Sequence, residues 1–123
     1  MDFNSILIGS EDAEGLASYY TRLFGEPAWN DNGYVGWMLG GGSVTVGPHS
    51  EVHGTNPQPG RLIWNIETDD VAGEFERLKG AGAIIIREPY SMGEGEEADQ
   101  SLIATLADPD GNYFQLMSPM QPE

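Results

Sequence analysis

Apolar residues along this chain come in short runs separated by turn-forming residues. Segments 3–8 (FNSILI), 34–39, 43–47, 61–67 (RLIWNIE), 83–87 (AIIIR), 103–106 and 113–117 are rich in β-branched and aromatic residues and are bounded by Gly, Pro, Asn and Asp. Each reads as a strand, and 27–29 as a further short one before the Asn32-Gly33 turn. Two stretches carry the helical period instead. Leu16, Tyr20, Leu23 and Phe24 share one face across 13–24, and Val71, Phe75 and Leu78 share one face of a second helix. Ser10 or Asp12 is expected to cap the first helix, which Gly25 stops. Asp69 or Asp70 caps the second, with Arg77 and Lys79 in its last turn and Gly80 and Gly82 ending it.

The clearest turn is 108–112 (DPDGN). Proline presets φ, the Asx side chains bond back to their own backbone, and glycine accepts φ > 0, so 103–117 reads as a hairpin. Segment 47–60 (GPHSEVHGTNPQPG) reads as a linker and 88–101 as a long loop. The order strand–helix–strand–strand–strand occurs twice, offset by roughly 56 residues, a repeat of pattern and not of identity. The expectation is one α+β domain over 1–123, with module one at about 1–50, the linker at about 47–60, and module two at about 61–119. In each module a helix covers one sheet face, and the other face must meet a ligand, a partner or the opposite half.

Charge narrows the partners. Twenty acids face five cations (Arg22, Arg61, Arg77, Lys79 and Arg87), for a net charge of −15. Such a surface repels phosphate backbones, so no nucleic acid is expected; it either attracts a cationic small molecule or serves as a solubility coat, the commoner role of such charge. The chain has no cysteine, which removes disulfides and thiolate metal sites. No apolar run is long enough for a membrane span, and Met1-Asp2-Phe3-Asn4 does not start like a signal peptide, so no membrane is expected and the expected compartment is cytoplasmic.

The residues Ser10-Glu11-Asp12, Tyr19-Tyr20-Thr21-Arg22-Leu23-Phe24-Gly25, Trp64-Asn65-Ile66-Glu67-Thr68-Asp69-Asp70 and Asp108-Pro109-Asp110-Gly111-Asn112 together resemble the vicinal-oxygen-chelate superfamily. That superfamily contains glyoxalase I, fosfomycin-resistance enzymes, extradiol dioxygenases and bleomycin-resistance proteins. The resemblance covers nearly the whole chain. It implies two βαβββ modules forming curved mixed sheets around a cup, in a single-chain two-module member that is expected to form a homodimer.

The family's enzymes hold a divalent metal through His, Gln or Glu on the first and last strands of the modules. Carried over, those positions fall at Ser5, Arg61 and Gln115, with a fourth near Thr45 or Gly47. Arginine has no lone pair to donate, and serine and glutamine are weak neutral ligands. The resemblance therefore implies the cup without its metal, and no cofactor is expected; a relocated divalent metal is the alternative. His49 and His53 lie in the linker and read as surface loop residues.

With Ser5, Arg61 and Gln115 facing inward, alternation adds Phe3 and Leu7, then Ile63, Asn65 and Glu67, then Tyr113 and Met117. Arg61 and Glu67 share a strand face in this reading. Ile6, Ile8, Leu62, Trp64, Ile66, Phe114 and Leu116 pack under the helices. Trp29, Tyr34, Trp37, Tyr90 and Met92 are candidates for the rim, and the acidic segment 91–100 is a solvated loop or a lid. The candidate ligand-binding set is Ser5, Leu7, Trp37, Arg61, Ile63, Asn65, Glu67, Tyr113, Gln115 and Met117. The reading is a metal-independent small-molecule binding protein of antibiotic- or metabolite-sequestering type. The alternatives are a lyase, isomerase or dioxygenase, with Glu67 and Tyr113 as its acid/base set, and a structural or regulatory partner module.

Overall fold

The computed structural model describes residues 1–91 and 101–119. The chain divides into two compact units, Met1–Thr55 and Asn56–Glu123. The first holds β1 (Ser5–Ser10), α1 (Ala13–Phe24), β2 (Trp29–Asp31), β3 (Tyr34–Leu39) and β4 (Gly42–Pro48). The second holds a 3-10 turn (Pro59–Arg61), β5 (Ile63–Glu67), α2 (Val71–Gly80), β6 (Ile84–Ser91), β7 (Leu102–Ala107) and β8 (Tyr113–Met117). The sheet orders are β1-β4-β3-β2 and β5-β8-β7-β6, the same topology twice. In each, the first strand pairs in parallel with the last, and the remaining pairs are antiparallel. No helix among the described residues is long and apolar enough to cross a membrane.

The two helices start by the same device. Asp12 Oδ1 accepts from the Gly15 amide at 3.1 Å, and Asp70 Oδ1 accepts from the Gly73 amide at 3.0 Å. A Cβ on either glycine would lie within 2.3 Å of the capping carboxylate, so the glycine is a condition of the cap. The D-x-x-G pattern is thus repeated in the sequence for a steric reason.

Period decides which residues the helices bury. Leu16, Tyr20 and Leu23 of α1 are buried against the sheet face that carries Ile8, Val44, Val46 and Trp37. Val71, Phe75 and Leu78 of α2 are buried against the sheet face that carries Ala104, Leu106, Phe114 and Leu116. Trp64 stacks on its parallel partner Phe114, ring centroids 5.0 Å apart.

The 108–112 turn is held from inside. Asp108 is 2 % exposed; its Oδ1 accepts from the amides of Asp110 and Asn112 at 2.9 and 3.0 Å, and its Oδ2 accepts from Asn112 Nδ2 at 3.0 Å. Gly111 adopts φ +85°. Asn56 of the linker is tied to this turn: its amide donates to the Asp110 carbonyl at 2.7 Å and its Nδ2 to Asn112 Oδ1 at 3.1 Å.

Several expectations change, and one falls outside the described residues. The short strand expected over 27–29 is β2, Trp29–Asp31. β1 runs from Ser5 to Ser10 instead of over 3–8, leaving Phe3 ahead of the strand and exposed. β5 begins at Ile63, because Pro59 opens a 3-10 turn that contains Arg61 and delivers Leu62 to solvent at 76 % exposure instead of under a helix. β6 continues to Ser91, through residues read as loop. Of the acidic segment 91–100, everything from residue 92 onward, Met92 included, lies outside the described residues.

Candidate functional site

Each sheet has one face that its own helix leaves uncovered. On the second sheet this face is read directly from the register. Ile63 pairs with Tyr113, Asn65 with Gln115 and Glu67 with Met117; Gln115 then pairs with Thr105, Met117 with Ile103, and Tyr113 with Ala107. Paired residues share a face, so the inward set drawn from alternation on β5 and β8 lies together on the helix-free side. Gln115 Nε2 donates to Thr105 Oγ1 at 3.0 Å, which holds the amide against the sheet. Asn65 and Glu67 are exposed, Tyr113, Gln115 and Met117 half-buried, and Thr105 buried.

Arg61 does not join them. It sits outside β5, its Nη2 donates to Gln58 Oε1 at 2.7 Å, and it shares no strand face with Glu67. Glu67 and Tyr113 are also separated, at opposite ends of the β5–β8 ladder, and do not form an acid/base pair.

On the first sheet, Ser5 and Leu7 pair with Ser43 and Thr45, and these pair with Met38 and Gly36. This face carries exposed apolar side chains, Leu7 at 54 % and Met38 at 56 %. It is also shaped by two glycines. A Cβ on Gly36 would lie 2.0 Å from the Trp29 ring, and one on Gly47 would lie 2.0 Å from the Tyr34 ring. The indole and the phenol therefore lie flat over bare backbone, and the Tyr34 hydroxyl donates to the Pro48 carbonyl at 3.1 Å. Asp31 pairs with Tyr34 and projects on the same side.

Trp37 is elsewhere. It pairs with Val44 on the helix side, is 2 % exposed, contacts the rings of Tyr20 and Phe24, and donates from Nε1 to the Gly25 carbonyl at 2.9 Å. It is a core residue and does not line the helix-free face.

His49 and His53 border a shallow cavity of about 310 Å3 together with Ser10, Glu11 and Val52. Each ring has a local bond: His53 Nδ1 lies 3.2 Å from Glu11 Oε2, and His49 Nδ1 accepts from the Glu51 amide at 3.1 Å. Among the described residues no three His, Asp or Glu side chains come together as a metal site.

The divalent metal implied by the family resemblance can be tested against these groups. Ser5 is an exposed hydroxyl, Arg61 a cation bonded to Gln58, Thr45 a half-buried hydroxyl, and Gly47 a backbone seat for Tyr34. Gln115 contributes one neutral amide already bonded to Thr105. A divalent ion needs several convergent imidazole or carboxylate donors. These positions do not fit it.

Sequence reasoning missed Arg87 and Thr105 on the second helix-free face. Thr105 was discoverable by extending alternation one strand beyond Gln115. Arg87 was not, because its placement depends on strand irregularities that no period reveals.

A family model described as a glyoxalase-like domain matches residues 5–117. No curated protein matches the chain significantly. Solved structures do match in fold. A glyoxalase-related enzyme from Fulvimarina pelagi is 22 % identical, over 97 % of this chain and 88 % of that one, with a TM-score of 0.69. TioX from Micromonospora sp. ML1 is 18 % identical over 98 % and 100 %, with a TM-score of 0.70. A glyoxalase/bleomycin resistance protein/dioxygenase family enzyme from Burkholderia phytofirmans PsJN is 20 % identical over 98 % and 100 %, with a TM-score of 0.69.

Proposed function

Since this chain belongs to the glyoxalase-like domain family, within the vicinal-oxygen-chelate superfamily, we propose that it is a metal-independent small-molecule binding protein that holds its ligand on the helix-free sheet surface. One observation carries this reading. At the position where the family's enzymes use a carboxylate on the last strand, this chain has Gln115, whose amide is bonded to Thr105. The positions that should complete a metal site hold Ser5 and Arg61, and Arg61 is not on the sheet.

The surface suits binding. Tyr113, Met117, Ile63 and Ile103 provide half-buried apolar area around Asn65, Gln115 and Thr105, a combination typical of small-molecule sites. The net charge of −15 favours ligands with a positive group. Sequestration of a drug or metabolite follows from binding without chemistry, in a homodimer within the cytoplasm. The enzyme alternative lacks an assembled acid/base pair, since Glu67 and Tyr113 stand apart.

The test is a fluorescence titration of chelator-treated protein against a cationic glycopeptide and a metabolite panel. Saturable binding that Tyr113→Ala weakens supports the proposal. Silence across the panel favours the partner-module reading.

A further inference from the structure

β6 is the edge strand of the second sheet, and its ladder with β7 slips twice. Ile84 pairs with Ala107 and Ile85 with Leu106, but the next pairs are Arg87 with Thr105 and Tyr90 with Ile103. Each slip adds one residue to β6, which is a β-bulge. Strict alternation from Ile84 would turn Arg87 toward the helix. The first bulge turns it to the helix-free face, and the second, over Glu88-Pro89, restores Tyr90 to that same face. Pro89 has no N–H to give the ladder, which explains the second bulge on an edge strand. Glu88 is directed the other way, with Oε1 3.8 Å from Lys79 Nζ of α2.

The outcome is a guanidinium lying on a phenol, Arg87 Cζ 3.5 Å from the Tyr90 ring centroid. Stacking occupies the flat face of the guanidinium and leaves its N–H edge available, and that edge matches the two oxygens of a carboxylate. Among the described residues no carboxylate forms an ion pair with Arg87, whereas Arg77 is paired with Glu74 and Lys79 with Glu88. Arg87 also ends a straight polar line across all four strands: Asn65, Gln115, Thr105, Arg87. At a strand spacing of about 4.8 Å the line is about 14 Å long. The rows beside it are apolar except for Glu67 at the β5 edge: Glu67, Met117, Ile103 and Tyr90 on one side, Ile63, Tyr113, Ala107 and Ile84 on the other.

The geometry points to Arg87 as the anchor for a carboxylate on an elongated small molecule, which lies across the strands with its neutral hydrogen-bonding groups toward Gln115 and Asn65. This assignment rests on the proposal that the second helix-free face binds a small molecule, and it names a recognition group there. Glu67 lies on the same face but on β5, at the opposite edge of the sheet from Arg87 on β6, so charge favours a carboxylate at the Arg87 end.

The test uses three probes that share a fluorophore and differ in charge: dansylglycine, its neutral amide, and dansyl-ethylenediamine. The full chain is titrated with each at about 0.15 M salt, where distant surface charges are screened. Dansylglycine is expected to bind on the order of 10-fold more tightly than the amide, the size of one charge-assisted bidentate contact. R87Q removes that preference, so that dansylglycine and the amide bind alike; Tyr90→Leu, which keeps the charge and removes the stack, reduces it. Equal binding of dansylglycine and the amide, or a preference that survives R87Q, overturns the assignment while the binding face stands. Failure of all three probes to bind overturns the face and the assignment together.

Discussion

Gln115 and Thr105 face each other across the β7–β8 ladder, with the amide nitrogen donating to the hydroxyl at 3.0 Å. The pair makes Gln115 part of a neutral hydrogen-bonding row. Placing a carboxylate there should therefore not create a metal site. Gln115→Glu is expected to fold with a stability within about 1 kcal/mol of the parent, since the bond can reverse, the threonine hydroxyl donating to the carboxylate. Calorimetric titration with zinc or manganese should show no stoichiometric binding, because one acid does not make a site. Tight one-to-one uptake by this variant would mean that further donors converge there.

Asp108 anchors the last hairpin through a buried carboxylate with three donors. Asp108→Ala leaves the Asp110 and Asn112 amides without that acceptor, and urea denaturation should show a loss of about 2–3 kcal/mol. A loss below about 0.5 kcal/mol would show that water replaces the carboxylate.

The seats beneath Trp29 and Tyr34 make a pairwise prediction. Gly36→Ala places a methyl group into the indole and should destabilise by about 1–3 kcal/mol. The same change in a Trp29→Ala background should cost clearly less, because the clashing partner is gone. Additive losses in thermal or chemical denaturation would locate the strain in the backbone instead.

Trp37 separates core from binding surface. Trp37→Phe removes the donor to the Gly25 carbonyl, and a loss of about 1–3 kcal/mol is expected. Ligand affinity measured by titration should stay unchanged in this variant, whereas Tyr113→Ala should lower it. Loss of binding on Trp37→Phe at intact fold would put the ligand near α1.

Much of the fold was legible because the local signals agreed. Helix period, Asp caps and glycine stops marked α1 and α2, and the turn chemistry of 108–112 marked the last hairpin. The duplicated pattern then marked the two modules, while the order of strands within each sheet came only from the structure. The failures have identifiable causes. In 34–39, Val35 and Trp37 face the helix while Tyr34 and Met38 face the other way, so apolar residues on both sides erased the alternation that would have placed Trp37. Arg61 read as strand because nothing in RLIWNIE marks the 3-10 turn that Pro59 initiates. Glu88 and Pro89 read as loop, yet an edge strand absorbs a proline by bulging, which carried β6 on to Ser91 and set Arg87 beside Tyr90.

The central claim, binding without a metal, is tested most directly by elemental analysis of the purified protein paired with thermal melts in added zinc, nickel, manganese and iron. The account predicts substoichiometric metal and an unchanged melting temperature with every ion. A stoichiometric metal, or a saturable rise in melting temperature with one ion, would contradict it and return the chain to the metal enzymes of its family.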